Sequence, residues 1–269
     1  MAKQKNNEED LKDKLLFATY LLNAKTAIEY CLDIPTSANT KDSTISMGLM
    51  TKLYKIFNSM MSNIERNDNT AALSMIRIYY ETSLTIQYLL RFFKEEDFDE
   101  FMLTDAIRRR NLIKMYETSP IFKNDKYKKM KDEHVKLLEK SIIDDGFKIE
   151  ELPNKSPSSW HRKKSYLTFA KELGDIENAV FYMSYTAGSS FIHPSWTDLK
   201  HHHLMTDPKT KLIRPNKLVS RPTKEILSVI IDETLKCCAV YSGRYRHGDY
   251  ADRLKTMHTT FHKTFSQSV

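Results

Sequence analysis

Only six glycines interrupt the 269 residues, at positions 48, 146, 174, 188, 243 and 248, and this scarcity limits what the chain can become. A β architecture closes its hairpins with residues that accept positive φ, chiefly glycine, and so few cannot supply the turns of a sandwich or barrel. The same positions build neither a GxGxxG turn nor a GxxxxGK loop, so nucleotide-cradling α/β folds drop out. With 41% hydrophobic and 29% charged residues the chain can close a core. A helical protein is expected.

Apolar spacing predicts where the helices run. A first helix covers about 10–32 and ends before Pro35. Ser43 or Thr44 caps a second that carries Met47, Met50, Leu53, Phe57 and Met60 and breaks at Asn67-Asp68-Asn69. A third runs from Thr70 to Phe93 and a fourth from Asp97 to Tyr116, before Ser119-Pro120. A lysine-rich helix over 124–143 closes at Gly146, where glycine can take the left-handed conformation. Shorter helices cover 165–173, stopping at Gly174, and 175–192, stopping at Pro194. Thr223 caps a last strong helix through Ile226, Ile230 and Leu235, with the adjacent Cys237 and Cys238 in its core. Between them, Pro194, Pro208, Pro215 and Pro222 forbid a long helix, and Asp207-Pro208-Lys209-Thr210 resembles the turn of a small hairpin. The expected architecture is an all-α antiparallel bundle with one irregular excursion near 194–222. The chain reads as one helical domain over 1–269, with a sub-boundary at 150–160 and a basic tail over 247–269.

Several chemistries are absent. There is no HExxH, no GxSxG and no repeated Glu-x-x-His, and the three cysteines form no CxxC pair. His201-His202-His203 lies near Asp198 and Asp207 but reads as a solvated loop, because consecutive residues rarely point at one ion. No metal and no cofactor is expected. A polar N-terminus and the lack of a long apolar run point to a cytoplasmic protein without a membrane segment. The formal charge of +7 permits attraction to phosphate backbones, and Arg108, Arg109, Arg110 and Lys114 concentrate it on the fourth helix as a candidate nucleic-acid contact.

Two polar constellations stand out. Between Ala71 and Leu90 the only charged residues are Arg77 and Glu81, one turn apart on an apolar helix, where a charge must be paired or face a cavity. Tyr185, Ser189 and His193 recur every four residues on the 175–192 helix, and Pro194 fixes His193 at its end. If the two helices face each other, His193 offers a general base, Arg77 a stabiliser of transition-state charge and Glu81 an orienting group. That set suits metal-free cleavage of RNA. A satisfied interhelical ion pair and a capping histidine account for the same residues without catalysis.

The pattern Arg77-x3-Glu81 followed by Tyr185-x3-Ser189-x3-His193-Pro194 resembles a bacterial family of all-helical proteins without assigned function, over roughly residues 45–200. The resemblance implies that Arg77, Glu81, Ser189 and His193 are signature positions, and implies no reaction. More broadly the chain is similar to the HEPN superfamily of helical ribonucleases, whose motif is an arginine followed four to six residues later by histidine; Arg253 and His258 meet that spacing. Leu254 departs from it, since the residue after the arginine is usually polar. This likeness implies an RNA-cleaving effector of a toxin or anti-phage system, RNA and a regulatory protein as partners, and a homodimer. A non-enzymatic interaction module, or a sensor of an anionic ligand held against Arg77, is the alternative reading.

Overall fold

The computed structural model describes residues 2–33, 40–66, 69–95, 97–154, 165–175, 177–182, 204–207, 209–215, 224–245 and 247–266. The fold is all-α, as expected. Its described helices are α1 (Ala2–Asp33), α2 (Lys41–Glu65), α3 (Asn69–Phe92), α4 (Asp97–Thr118), α5 (Asp125–Asp144), α6 (Tyr166–Leu173), α7 (Lys224–Arg244) and α8 (Gly248–Ser266). A further helical stretch covers 177–182. None of the described helices is long and apolar enough to cross a membrane.

Contacts divide the chain into two compact units, one formed by Met1–Phe92 with Phe169–Val269, the other by Phe93–Thr168. In the first, the apolar faces of α1, α2, α3 and α8 converge on α7. Ala24, Ile28 and Cys31 from α1 join Met50, Leu53, Phe57 and Met60 from α2. Ile76, Tyr79, Ile86 and Leu90 of α3 and Leu254 and Phe261 of α8 complete the same core around Ile230, Leu235, Cys238 and Tyr241. Every residue from Ile230 to Ala239 is buried, so α7 is surrounded on all sides over this length. A helix in that position is expected to be apolar all round. This one contains Asp232, Glu233 and Lys236.

Local sequence sets the helix ends. Thr40, rather than Ser43 or Thr44, caps α2: its hydroxyl accepts from the Ser43 backbone N–H at 3.4 Å, and the helix starts one residue later. Asp42 reinforces the turn by accepting from the same N–H at 2.7 Å. At the far end of α5, Gly146 has φ +86°, the conformation its sequence context predicts. The excursion near 194–222 contains the expected hairpin: β1 (Leu204–Thr206) pairs antiparallel with β2 (Ile213–Pro215), Leu204 opposite Pro215 and Thr206 opposite Ile213. Its turn is organised by Asp207, whose Oδ1 accepts from the backbone N–H groups of Lys209 and Thr210 at 2.9 and 3.0 Å. Those bonds hold the Asp207 carboxyl below the usual carboxylate range.

The second unit is built on α4 and α5, with Ala106, Ile107, Ile113, Ile142 and Leu152 as its core. The tail expected over 247–269 is helical to Ser266 and buries Ala251, Leu254 and Phe261. Removing a fully enclosed side chain tests this core directly. Leu53→Ala is expected to lower stability by about 2–5 kcal/mol, and Leu22→Ala, at an exposed site on α1, by no more than about 0.5 kcal/mol. Urea unfolding followed by far-ultraviolet circular dichroism measures both.

Candidate functional site

α3 carries the first polar constellation. Arg77 Nε donates to Glu81 Oε1 at 2.9 Å, with 22% and 25% of the two side chains exposed. At 3.6 residues per turn, Arg77, Glu81, Leu84 and Tyr88 follow one stripe of the helix, with Tyr80 beside it. That side of α3 lies against residues between Phe169 and Phe181. The Tyr88 ring stacks on Phe169 of α6 at 4.0 Å and its hydroxyl donates to Glu172 at 2.8 Å. The Tyr80 hydroxyl donates to the Glu177 carbonyl at 2.6 Å, and its ring lies 6.5 Å from Phe181. Ser189, His193 and His201-His202-His203 lie outside the described residues.

The remaining candidates are separated rather than gathered. Arg253 is exposed and lines an open cavity of about 460 Å³ with Tyr30, His247, Gly248, Asp249 and Tyr250. His258 instead turns inward to Asp232. Five residues advance a helix by about 140° beyond a full turn, so the two side chains leave α8 on different faces. On α4, successive residues likewise point about 100° apart. Arg108 is exposed, and Lys114 donates to Asn154 at 2.8 Å on the surface. Arg109 is paired with Asp105 at 2.9 Å and with Asp145. Arg110 is buried at 5% exposure and donates to the Leu152 carbonyl at 2.9 Å, so it serves the interior of its unit and is not available to a phosphate.

The densest chemistry lies where α3, α7, α8 and the 177–182 stretch meet. Lys236, 8% exposed, places its ammonium 2.7 Å from Asp232 Oδ2, 3.2 Å from Glu177 Oε1 and 3.3 Å from Glu233 Oε1. Glu233 is fully buried; its Oε2 accepts from Gln87 Nε2 at 2.8 Å and from the Ser83 hydroxyl. The other oxygen of the Asp232 carboxylate, Oδ1, accepts from His258 Nε2 and His262 Nε2 at 2.5 and 2.6 Å, and the two nitrogens are 3.1 Å apart.

These neighbours set the charges. Burial alone would raise the Asp232 carboxyl, but the hydrogen bonds from both histidines and the Lys236 charge outweigh it and hold the group well below the usual range. Glu233 moves the other way, because its complete burial exceeds what Lys236 and Ser83 return. Burial would lower the Lys236 ammonium, yet Glu233, Asp232 and Glu177 together raise it, so it stays protonated. Cys237, buried beside Glu233, has its thiol pushed up and is an unreactive core residue.

This cluster escapes a reading by sequence because Asp232 and Lys236 stand in the i, i+4 order of an ordinary solvated pair. The signal that finds it is the one that singles out Arg77: charges inside a run, Ile226 to Val240, with apolar neighbours on every face. His262 and Glu177 carry no such signal, and only the packing of three segments brings them in.

Residues 43–210 match a family of unknown function, DUF5677, and the chain belongs to that family. No curated protein and no solved structure matches the chain. The matched range includes Arg77, Glu81, Ser189 and His193 and ends before α7, so Asp232, Lys236, His258 and His262 lie outside it.

Removing one partner from a buried charge network strands the others. Lys236→Met is expected to destabilise the fold by about 3–5 kcal/mol at pH 7. The carboxylates left behind lose the charge that offsets their burial and take up protons at higher pH than in wild type, so the deficit narrows as pH falls towards and through the usual carboxylate range, near 4. Stepped-pH urea unfolding of wild type and variant reads both effects.

Proposed function

We propose that the protein is a cytoplasmic, HEPN-related, RNA-cleaving effector of a toxin or anti-phage system, with Arg77, Glu81, Ser189 and His193 as its reaction centre. The supporting observation is the setting of the Arg77–Glu81 pair. It is a charge-assisted hydrogen bond at 2.9 Å, partly open to solvent, on the side of α3 that Tyr80 and Tyr88 hold against the chain leading to Ser189 and His193. A solvated surface pair would not share its stripe with the buried Leu84 and Tyr88. The matched family range carries all four residues.

In this reading His193 takes the proton of a ribose 2′-hydroxyl, and the 2′-oxygen attacks the adjacent phosphorus. Arg77 neutralises charge on the phosphoryl oxygens as the 5′-oxygen leaves. Glu81 orients the guanidinium. The strand ends are a 2′,3′-cyclic phosphate and a 5′-hydroxyl, the 5′-oxygen taking a proton from the protonated base. No metal enters. RNA and a regulatory protein are the partners, and a homodimer is the working unit.

Incubation of the purified protein with total and transfer RNA, with and without chelator, tests this. The expected result is chelator-resistant cleavage giving cyclic-phosphate ends, reduced about 100- to 1,000-fold in Arg77→Ala and abolished in His193→Ala, with melting temperatures close to wild type. Arg77→Lys, which keeps the charge and loses the planar fork, restores only part of the activity. Absence of cleavage by wild type, or full activity in both alanine variants, overturns the reading in favour of an interaction module.

A further inference from the structure

The imidazole pair on α8 has a chemistry that the reaction above does not use. His258 and His262 stand one turn apart, so both rings project from the same face of α8. Both meet Asp232 Oδ1, which reaches them from α7. The three atoms form a triangle with edges of 2.5, 2.6 and 3.1 Å.

Protons alone account poorly for this triangle. A neutral imidazole has one N–H, and if both Nε2 atoms donate to Asp232, the contact between the two nitrogens has no hydrogen bond of its own. An ion receiving a lone pair from each atom accounts for all three edges. A tetrahedral zinc with bonds of about 2.0–2.1 Å separates its ligand atoms by about 3.3 Å, so small rotations of the three side chains suffice to open the triangle around it.

The surroundings favour a cation. Lys236 binds the other carboxylate oxygen, Oδ2, at 2.7 Å and so fixes the carboxylate with Oδ1 directed at the histidines, as an outer partner of a metal ligand does. Three acidic groups, Asp232, Glu233 and Glu177, surround that single ammonium. The carboxylate side chain is 6% exposed, while His258 and His262 are 24% and 45% exposed, which gives an ion a way in from solvent. Among the described residues, these three bring ligand atoms of this kind within reach of one ion.

We propose that Asp232, His258 and His262 bind a divalent transition-metal ion, with zinc as the preferred occupant and a fourth position open to water. Two imidazoles and one carboxylate suit zinc and its neighbours, whereas magnesium and calcium require oxygen ligands almost throughout. The ion clamps α8 to α7. The site lies outside the matched family range and is independent of the RNA-cleavage reading.

The test uses the full chain, purified on a histidine-free tag and stripped with chelator. One equivalent of cobalt is expected to bind with the strong visible absorption of a four-coordinate site, zinc to displace it, and zinc to raise the melting temperature. His258→Gln and His262→Gln are each expected to weaken zinc binding more than about 100-fold, beyond the loss typical of an outer partner. His134→Ala, on the surface of the other unit, leaves binding unchanged. Both glutamine variants are first shown to have the circular dichroism spectrum and metal-free melting temperature of stripped wild type. If either unfolds, the asparagine variant of the same histidine is measured instead. Absence of a cobalt spectrum and of a thermal shift at millimolar ion, or equal affinity in folded histidine variants, overturns the site. RNA cleavage followed in the same samples separates the two proposals, since a chelator-sensitive melting temperature and chelator-resistant cleavage are independent outcomes.

Discussion

The ammonium of Lys236 holds the interior of the larger unit together. It is shared by Asp232, Glu233 and Glu177, and without it three buried carboxyl groups would crowd one another with no cation between them. Taking such groups out of water costs several kcal/mol each, which only close pairing and full hydrogen bonding recover. Ser83 and Gln87 supply that bonding from α3, and the histidines supply it from α8. The network therefore fixes more than charge. An apolar α7 could settle against α3 in several rotations of similar packing quality, but Glu233 finds its donors in only one. A slip of one turn would strand it, at the penalty of an unpaired buried charge.

That network separates the chain's two polar regions by environment. Arg77 and Glu81 are each about one-quarter exposed or less and lie on the side of α3 that faces Glu172 and Glu177. Ser83 and Gln87, about 80–160° around the same helix, are enclosed and bonded to α7. One helix thus presents a solvent-reachable guanidinium on one side and a closed polar core on the other, with Tyr80 between them. The tyrosine is held by the Glu177 carbonyl, and the Glu177 side chain reaches Lys236, so backbone and side chain of one residue touch both regions.

Much of the fold is legible in the sequence because helical punctuation is local. Gly146 turns left-handed and Asp207 organises the hairpin turn where their sequence context predicts, while the α2 cap falls on Thr40, a few residues before the expected Ser43 or Thr44. The side chains that meet at Lys236 are legible only in part. Arg77 and Glu81 stand out because an apolar helix with two charges is anomalous. Asp232 and Lys236 look like any exposed i, i+4 pair until the burial of every face of α7 is known. Arg110 errs the other way: three consecutive arginines read as one surface patch, yet the helical rotation sends the third inward to Leu152. Linear proximity and spatial proximity diverge most on helices, where neighbours in sequence look in different directions.

The larger unit is discontinuous, with residues 93–168 intervening between α3 and the segments that complete its core. Synthesis at about 5–20 residues per second places roughly ten seconds between the emergence of α3 and that of α7. Through that interval Tyr79, Leu90 and the inner face of α1 have no α7 to cover them, while the α4–α5 unit has all its parts once residue 168 is made. The nascent chain is consequently sticky before it is competent. A truncated product ending before residue 224 lacks Lys236 and every group it neutralises except Glu177. That order of events withholds the closed core of the larger unit until translation has passed α7.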